Sequence, residues 1–118
     1  MFNLKIVYEA LKRSWTPGVH ADDQDSLISI LIHDIFGGEI LKTRKKKGWH
    51  FYNRIDGLRI DFTRSKASNY YKEKRFQDIP ATPDETYRYF DQEDYSSFLT
   101  RFIWVFEEAV GLNSYQPG

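Results

Sequence analysis

Apolar and polar positions alternate along this chain with two different periods, and the switch between them outlines the fold. Leu4, Tyr8, Leu11 and Trp15 recur at helical spacing, so residues 3–15 read as a helix that Asn3 can cap. Thr16-Pro17-Gly18 ends it, because proline cannot continue a helix and glycine accepts a turn. After a polar loop, His20 to Gln24, a second helix starts near Asp25, with Asp22, Asp23, Asp25 or Ser26 as its cap. Its body, Leu27 to Phe36, is apolar on most sides, which predicts burial between layers. Gly37-Gly38 closes it.

The period then drops to two. Glu39–Arg44 reads as a strand and Lys45–Gly48 as a short turn. The aromatic-rich run Trp49–Ile55 reads as a second strand. Asp56-Gly57 is a strong two-residue hairpin signal leading into Leu58–Thr63. Residues 64–75 are polar and basic and read as a loop. Arg75–Ile79 reads as an edge strand closed by Pro80. Thr82-Pro83-Asp84-Glu85 opens a helix, with Thr82 as cap and acids near its positive end. Asp91–Asp94 starts another, whose stripe is Tyr95, Phe98, Leu99, Phe102, Ile103, Phe106 and Val110, stopped by Gly111. The order α-α-β-β-β-(β)-α-α makes an α+β domain with an antiparallel sheet of three to four strands, the second helix buried against it. The expected organisation is one domain, 1–118, with 111–118 as a tail.

Composition narrows the chemistry. Nine Phe, eight Tyr and three Trp supply a core, with Trp49, Phe51, Tyr52 and Trp104 expected inside and Tyr87 and Tyr89 at the surface, as are Tyr70 and Tyr71. The absence of Cys excludes disulfides, thiolate metal sites and a cysteine nucleophile. No apolar run reaches the roughly 20 residues of a membrane helix, so the expectation is a cytoplasmic protein with no membrane partner.

Charge balances overall, with seventeen residues of each sign, but not locally. From Lys42 to Arg75 there are twelve basic and three acidic residues, leaving five basic and fourteen acidic elsewhere. Lys42, Arg44, Lys45, Lys46 and Lys47, with Arg64, Lys72 and Arg75, therefore form a candidate surface for a protein partner with an acidic face, or for nucleic acid. Nearby acids, among them Asp84 and Glu85, can fold back and neutralise part of it.

The stretch Gln24, Asp34 and Phe36-Gly37-Gly38-Glu39-Ile40-Leu41, then His50, Asn53, Gly57 and Asp61-Phe62-Thr63, resembles the YunG-like family of small uncharacterised bacterial proteins. Ser14-Trp15 matches the end of that family's first helix, and the resemblance covers most of residues 4–65. It implies a minimal papain-like core: Gln-Cys at the start of the second helix, His on the second strand, Asp on the next. A helix N-terminus stabilises thiolate, His moves the proton, the acid orients the imidazole, and the Gln donates to an oxyanion. Here Gln24, His50 and Asp61 are present, and Asp25 stands where the resemblance expects Cys. An ionised carboxylate gains nothing from a His base. Ser26 lies about 100° further round the helix. The expectation is a degenerate site, Gln24, Asp25, His50 and Asp61, in a non-catalytic binding or inhibitory module.

Residue by residue, Asp25 reads first as a helix N-cap, and His50 as a polar partner of Asp25 or Asp61. With the turn at 56–57, residues 50 and 61 fall as diagonal neighbours on one face of the hairpin. A hydrolase, or an enzyme holding Mn, Fe or Zn between Asp25, His50 and Asp61, is the alternative. No metal or cofactor is expected.

Overall fold

The structure, a computed structural model, describes residues 3–14, 24–46, 48–62 and 76–111. Its elements run α1 (Leu4–Ser14), α2 (Asp25–Phe36), β1 (Glu39–Lys45), β2 (Gly48–Ile55), β3 (Leu58–Ile60), β4 (Ile79–Ala81), α3 (Pro83–Thr86), a 3-10 turn (Tyr87–Tyr89) and α4 (Gln92–Ala109). This is the expected α+β class. Among the described residues, no helix is long and apolar enough to cross a membrane. The chain forms two compact units, His20–Asp91 and Met1–Val19 with Gln92–Gly118.

The central unit is a four-stranded antiparallel sheet, ordered β3-β2-β1-β4, with α2 against β2 and β1. Strand β2 pairs along its whole length with β1, from Glu39↔Arg54 to Lys45↔Gly48. The hairpin to β3 turns at Asp56 and Gly57, both left-handed (φ 52° and 81°), as a two-residue turn of primed type requires. Its register, Asn53↔Ile60 and Ile55↔Leu58, is the one the turn position implies. α2 is buried from Asp25 to Ile32, and the Asn53 amide donates to the Ser29 carbonyl at 3.0 Å. On the other face of β2, Tyr52 clusters with Leu41 and Phe76.

Two strands differ from the expectation by more than one residue. β3 pairs only over Leu58–Ile60, with Asp61 and Phe62 outside it; Thr63 lies outside the described residues. The edge strand is Ile79–Ala81, with Pro80 inside it opposite Leu41 rather than closing it. Proline is tolerated there because an edge residue can face its missing N–H away from the ladder. Thr82 does cap α3, in a capping box with Glu85, but the helix lasts four residues before tightening into the 3-10 turn.

In the other unit α1 packs on α4. Asn3 caps α1 by accepting from the Ile6 N–H at 3.1 Å. Arg101 Nε donates to the Ser14 carbonyl at 3.0 Å, and Arg13 pairs with Glu108 at 3.5 Å. The buried stripe of α4 is narrower than the sequence predicts: Tyr95, Phe98 and Phe102 are inside, while Ile103, Val110 and Trp104 are exposed. Trp104 follows Phe102 by two residues, which turns it about 200° around the helix and off the buried face. Tyr87 and Tyr89 are at the surface as expected, and Phe51 and Tyr52 are buried; Trp49 is only half-buried. Tyr70 and Tyr71 lie outside the described residues.

The passage from α2 to β1 depends on one glycine. Gly38 has φ 81°, and a Cβ there would stand 2.6 Å from the Arg54 carbonyl oxygen and 2.9 Å from Ile55 Cγ1. Gly57 has the same φ but open space around it. Gly38→Ala should therefore lower the unfolding free energy by about 2–3 kcal/mol, and Gly57→Asn by less than about 1 kcal/mol. Urea denaturation of both variants checks this; equal losses would refute the close-approach argument.

Candidate functional site

β3 stops pairing at Ile60, opposite Asn53, so the N–H of Phe51 lies beyond the end of that ladder. The Asp25 carboxylate, on the first residue of α2, accepts it at 2.7 Å through Oδ2. The residue that starts the helix thus docks it onto the sheet, with its charge at the positive helix end. The expected capping role is corrected here: Gln24 holds the N-cap position, makes no side-chain capping bond, and Asp25 is inside the helix. The Asp25 carboxylate instead accepts from the Phe51 N–H of β2. Asp22 and Asp23 lie outside the described residues.

The same Oδ2 of Asp25 lies 3.3 Å from His50 Nδ1. On the opposite side of the ring, His50 Nε2 donates to Asp61 Oδ2 at 2.6 Å. Asp61 directly follows β3, and its position diagonal to His50 is the one the hairpin register requires. All three side chains are enclosed, with exposures of 9% for Asp25, 13% for His50 and 1% for Asp61. Burial by itself would lower the His50 pKa. The hydrogen bonds and charges of Asp25 and Asp61 overcome it and raise the pKa from 6.5 to about 9. His50 is therefore an imidazolium at neutral pH, clamped between carboxylates from α2 and from the strand beyond it. It stacks loosely with Tyr52 and Phe76, at 6.0 and 6.3 Å between ring centres.

The geometry limits what this cluster can do. A general base needs an unprotonated ring nitrogen facing the substrate. Both nitrogens of His50 face carboxylate oxygens instead. A shared metal ion needs its ligands to converge on one point, whereas here the imidazole lies between the two carboxylates. Among the described residues, no group of three His, Asp or Glu side chains is arranged to hold a metal.

A neighbouring network was not visible in the sequence. Asp78, in the left-handed region at φ 56°, accepts from Tyr52 Oη at 2.8 Å and from Arg59 Nε at 2.8 Å, and pairs with Arg59 Nη2. Its own N–H donates to Tyr52 Oη at 2.7 Å. Arg59 holds the Asp78 carboxyl below the usual range against the opposing effect of burial, and Tyr52 adds to it. Burial and the adjacent Asp78 push the Tyr52 hydroxyl upward. Arg59 also lies over the Phe76 ring, 4.9 Å from its centre. The only signal was the residue type: Asp tolerates a left-handed backbone better than most.

The basic residues divide. Lys42 is ion-paired with Glu85, so one of the expected acids does fold back. Lys42 and Arg44 each lie 4.6 Å from the centre of the Trp49 ring. Arg44, Lys45 and Lys46 are exposed at the end of the β1–β2 hairpin. Lys47, Arg64, Lys72 and Arg75 lie outside the described residues.

The fold and this site define a small α+β protein with a buried carboxylate–imidazolium–carboxylate cluster. The profile of the family described as YunG protein matches residues 5–104, and the chain belongs to that family. It is similar to the uncharacterized protein YunG of Bacillus subtilis (strain 168), at 33% identity over 88 residues, covering 75% of this chain and 74% of that one. No solved structure matches.

The clamp makes stability depend on pH. His50 holds its proton more tightly folded, at about 9, than unfolded, at 6.5. Its contribution is thus fully present below pH 6.5 and is lost as pH rises through 9. Urea denaturation should show a loss on the order of 3 kcal/mol between pH 6.5 and 9.5. His50→Gln should flatten that slope. An unchanged slope in His50→Gln would assign the effect to other groups.

Proposed function

We propose that this protein is a non-catalytic protein-binding module on a degenerate cysteine-hydrolase-like scaffold. The observation that carries the reading is the double engagement of His50, by Asp25 and by Asp61. Position 25 offers a carboxylate in place of a nucleophile, and the histidine beside it has no nitrogen left to act as base. What remains is a charged brace that fixes the start of α2 to the sheet.

The binding surface in this reading is the basic end of the β1–β2 hairpin, and the partner is a protein with an acidic face. Lys42 is excluded from it by its pairing with Glu85. Arg44 is held over the Trp49 ring, which gives its charge a fixed place. Lys45 and Lys46 are exposed and form no ion pair with a described acid. Exposed charges of this kind steer association and add little to stability.

Two measurements test the two halves of the reading. Asp25→Cys would put a thiol at a helix N-terminus beside His50. Its pKa should fall below the roughly 8.5 of free cysteine, read by the pH dependence of iodoacetamide alkylation. A profile like that of free cysteine would remove the hydrolase-like scaffold from the account. For binding, the double variant Lys45→Glu/Lys46→Glu should slow association with the protein captured by the wild type about tenfold at low salt. Its melting temperature should stay within about 2 °C. Association indifferent to both the reversals and added salt would refute the basic surface. Capture of nucleic acid instead of protein would refute the partner class.

A further inference from the structure

α4 presents a second surface whose chemistry is the opposite of the hairpin's. Tyr95, Phe98 and Phe102 are buried and already fix the helix in its unit. Beyond them, Ile103, Trp104 and Val110 remain 41%, 61% and 41% exposed. Three large apolar side chains within about two turns are more than the scattered exposure ordinary for a surface helix.

The charge beside them is as unusual as the apolar area. The last turn of a helix carries the negative end of its dipole and favours Lys, Arg or His, by about 0.3–1 kcal/mol each. The last turn of α4 has no basic residue, and Glu107 and Glu108 sit close to its end. Glu108 is answered by Arg13 at 3.5 Å. Glu107 has no ion pair among the described residues. Among the described residues, the apolar side chains therefore border a helix end where Glu107 adds to the negative end of the dipole, while Arg13 offsets Glu108.

We propose that this face of α4, centred on Trp104 with Glu107 and the helix C-terminus, docks a segment of another protein that presents Lys or Arg among apolar side chains. The apolar groups would cover Ile103, Trp104 and Val110, and the cations would meet Glu107 and the terminal carbonyls. A second copy of this chain is the poorer occupant. Parallel pairing of two α4 helices sets Glu107 beside Glu107, and antiparallel pairing sets it toward Glu93 and Asp94. Either arrangement juxtaposes like charges.

The test uses the full chain and two synthetic amphipathic peptides of equal length, one of Leu and Lys and one of Leu and Glu, in calorimetric titrations. The Leu/Lys peptide should bind, and the Leu/Glu peptide should not. Affinity for the Leu/Lys peptide should fall about tenfold in Trp104→Ser and in Glu107→Lys, and should be largely kept in Trp104→Phe. Thermal melts close to wild type establish that the variants are folded. Absent binding, or binding equal across all variants, would overturn the proposal. Dimerisation in sedimentation that Trp104→Ser abolishes would overturn it too, and would assign the face to a second copy.

Discussion

A buried imidazolium between two carboxylates joins elements that local sequence preferences alone would not hold together. α2 begins at Asp25, β2 carries His50, and β3 ends just before Asp61. None of the three charges is stable alone at such low exposure, because removing a charge from water costs several kcal/mol unless it is paired. The proton on His50 is therefore part of the fold. It lets two acids approach the same ring, and it ties the helix start to a strand end that has run out of ladder partners. Asp25 also satisfies the Phe51 N–H, so its loss would leave both a charge and a backbone donor unmet.

The same face of β2 carries a second ionic arrangement, in which Asp78 collects Tyr52 and Arg59. Phe76 lies against both, near Tyr52 at 4.5 Å between ring centres and under the Arg59 guanidinium. This face is therefore covered by paired polar groups and by a small cluster of Leu41, Tyr52 and Phe76, while α2 covers the other. Such a face is specific in its partners, since each polar group must find its counterpart.

Much of this was legible in the sequence. Element order, the buried α2, and the hairpin register followed from periodicity, glycine pairs and the Asp56-Gly57 turn, which are local signals. The placement of His50 near Asp61 followed from that register. What local signals could not supply was direction. Asp25 reads as a cap by residue type, yet it turns to the sheet because a β2 donor and a cation are there. Trp104 reads as core by hydrophobicity, yet a rotation of two residues carries it off the buried stripe. Asp78 and Arg59 lie nineteen residues apart, and only the tertiary fold makes them partners. Family membership follows from the sequence comparison, and the curated relative it matches is itself uncharacterised.

The protonation state of His50 decides between a brace and a working base. Long-range proton–nitrogen correlation spectra of the imidazole report it directly, because the two ring nitrogens shift together in an imidazolium and apart in a neutral tautomer. At pH 7 both nitrogens of His50 should be protonated, with titration only near 9. A neutral His50 ring at pH 7, titrating near the ordinary histidine value of about 6.5, would contradict it.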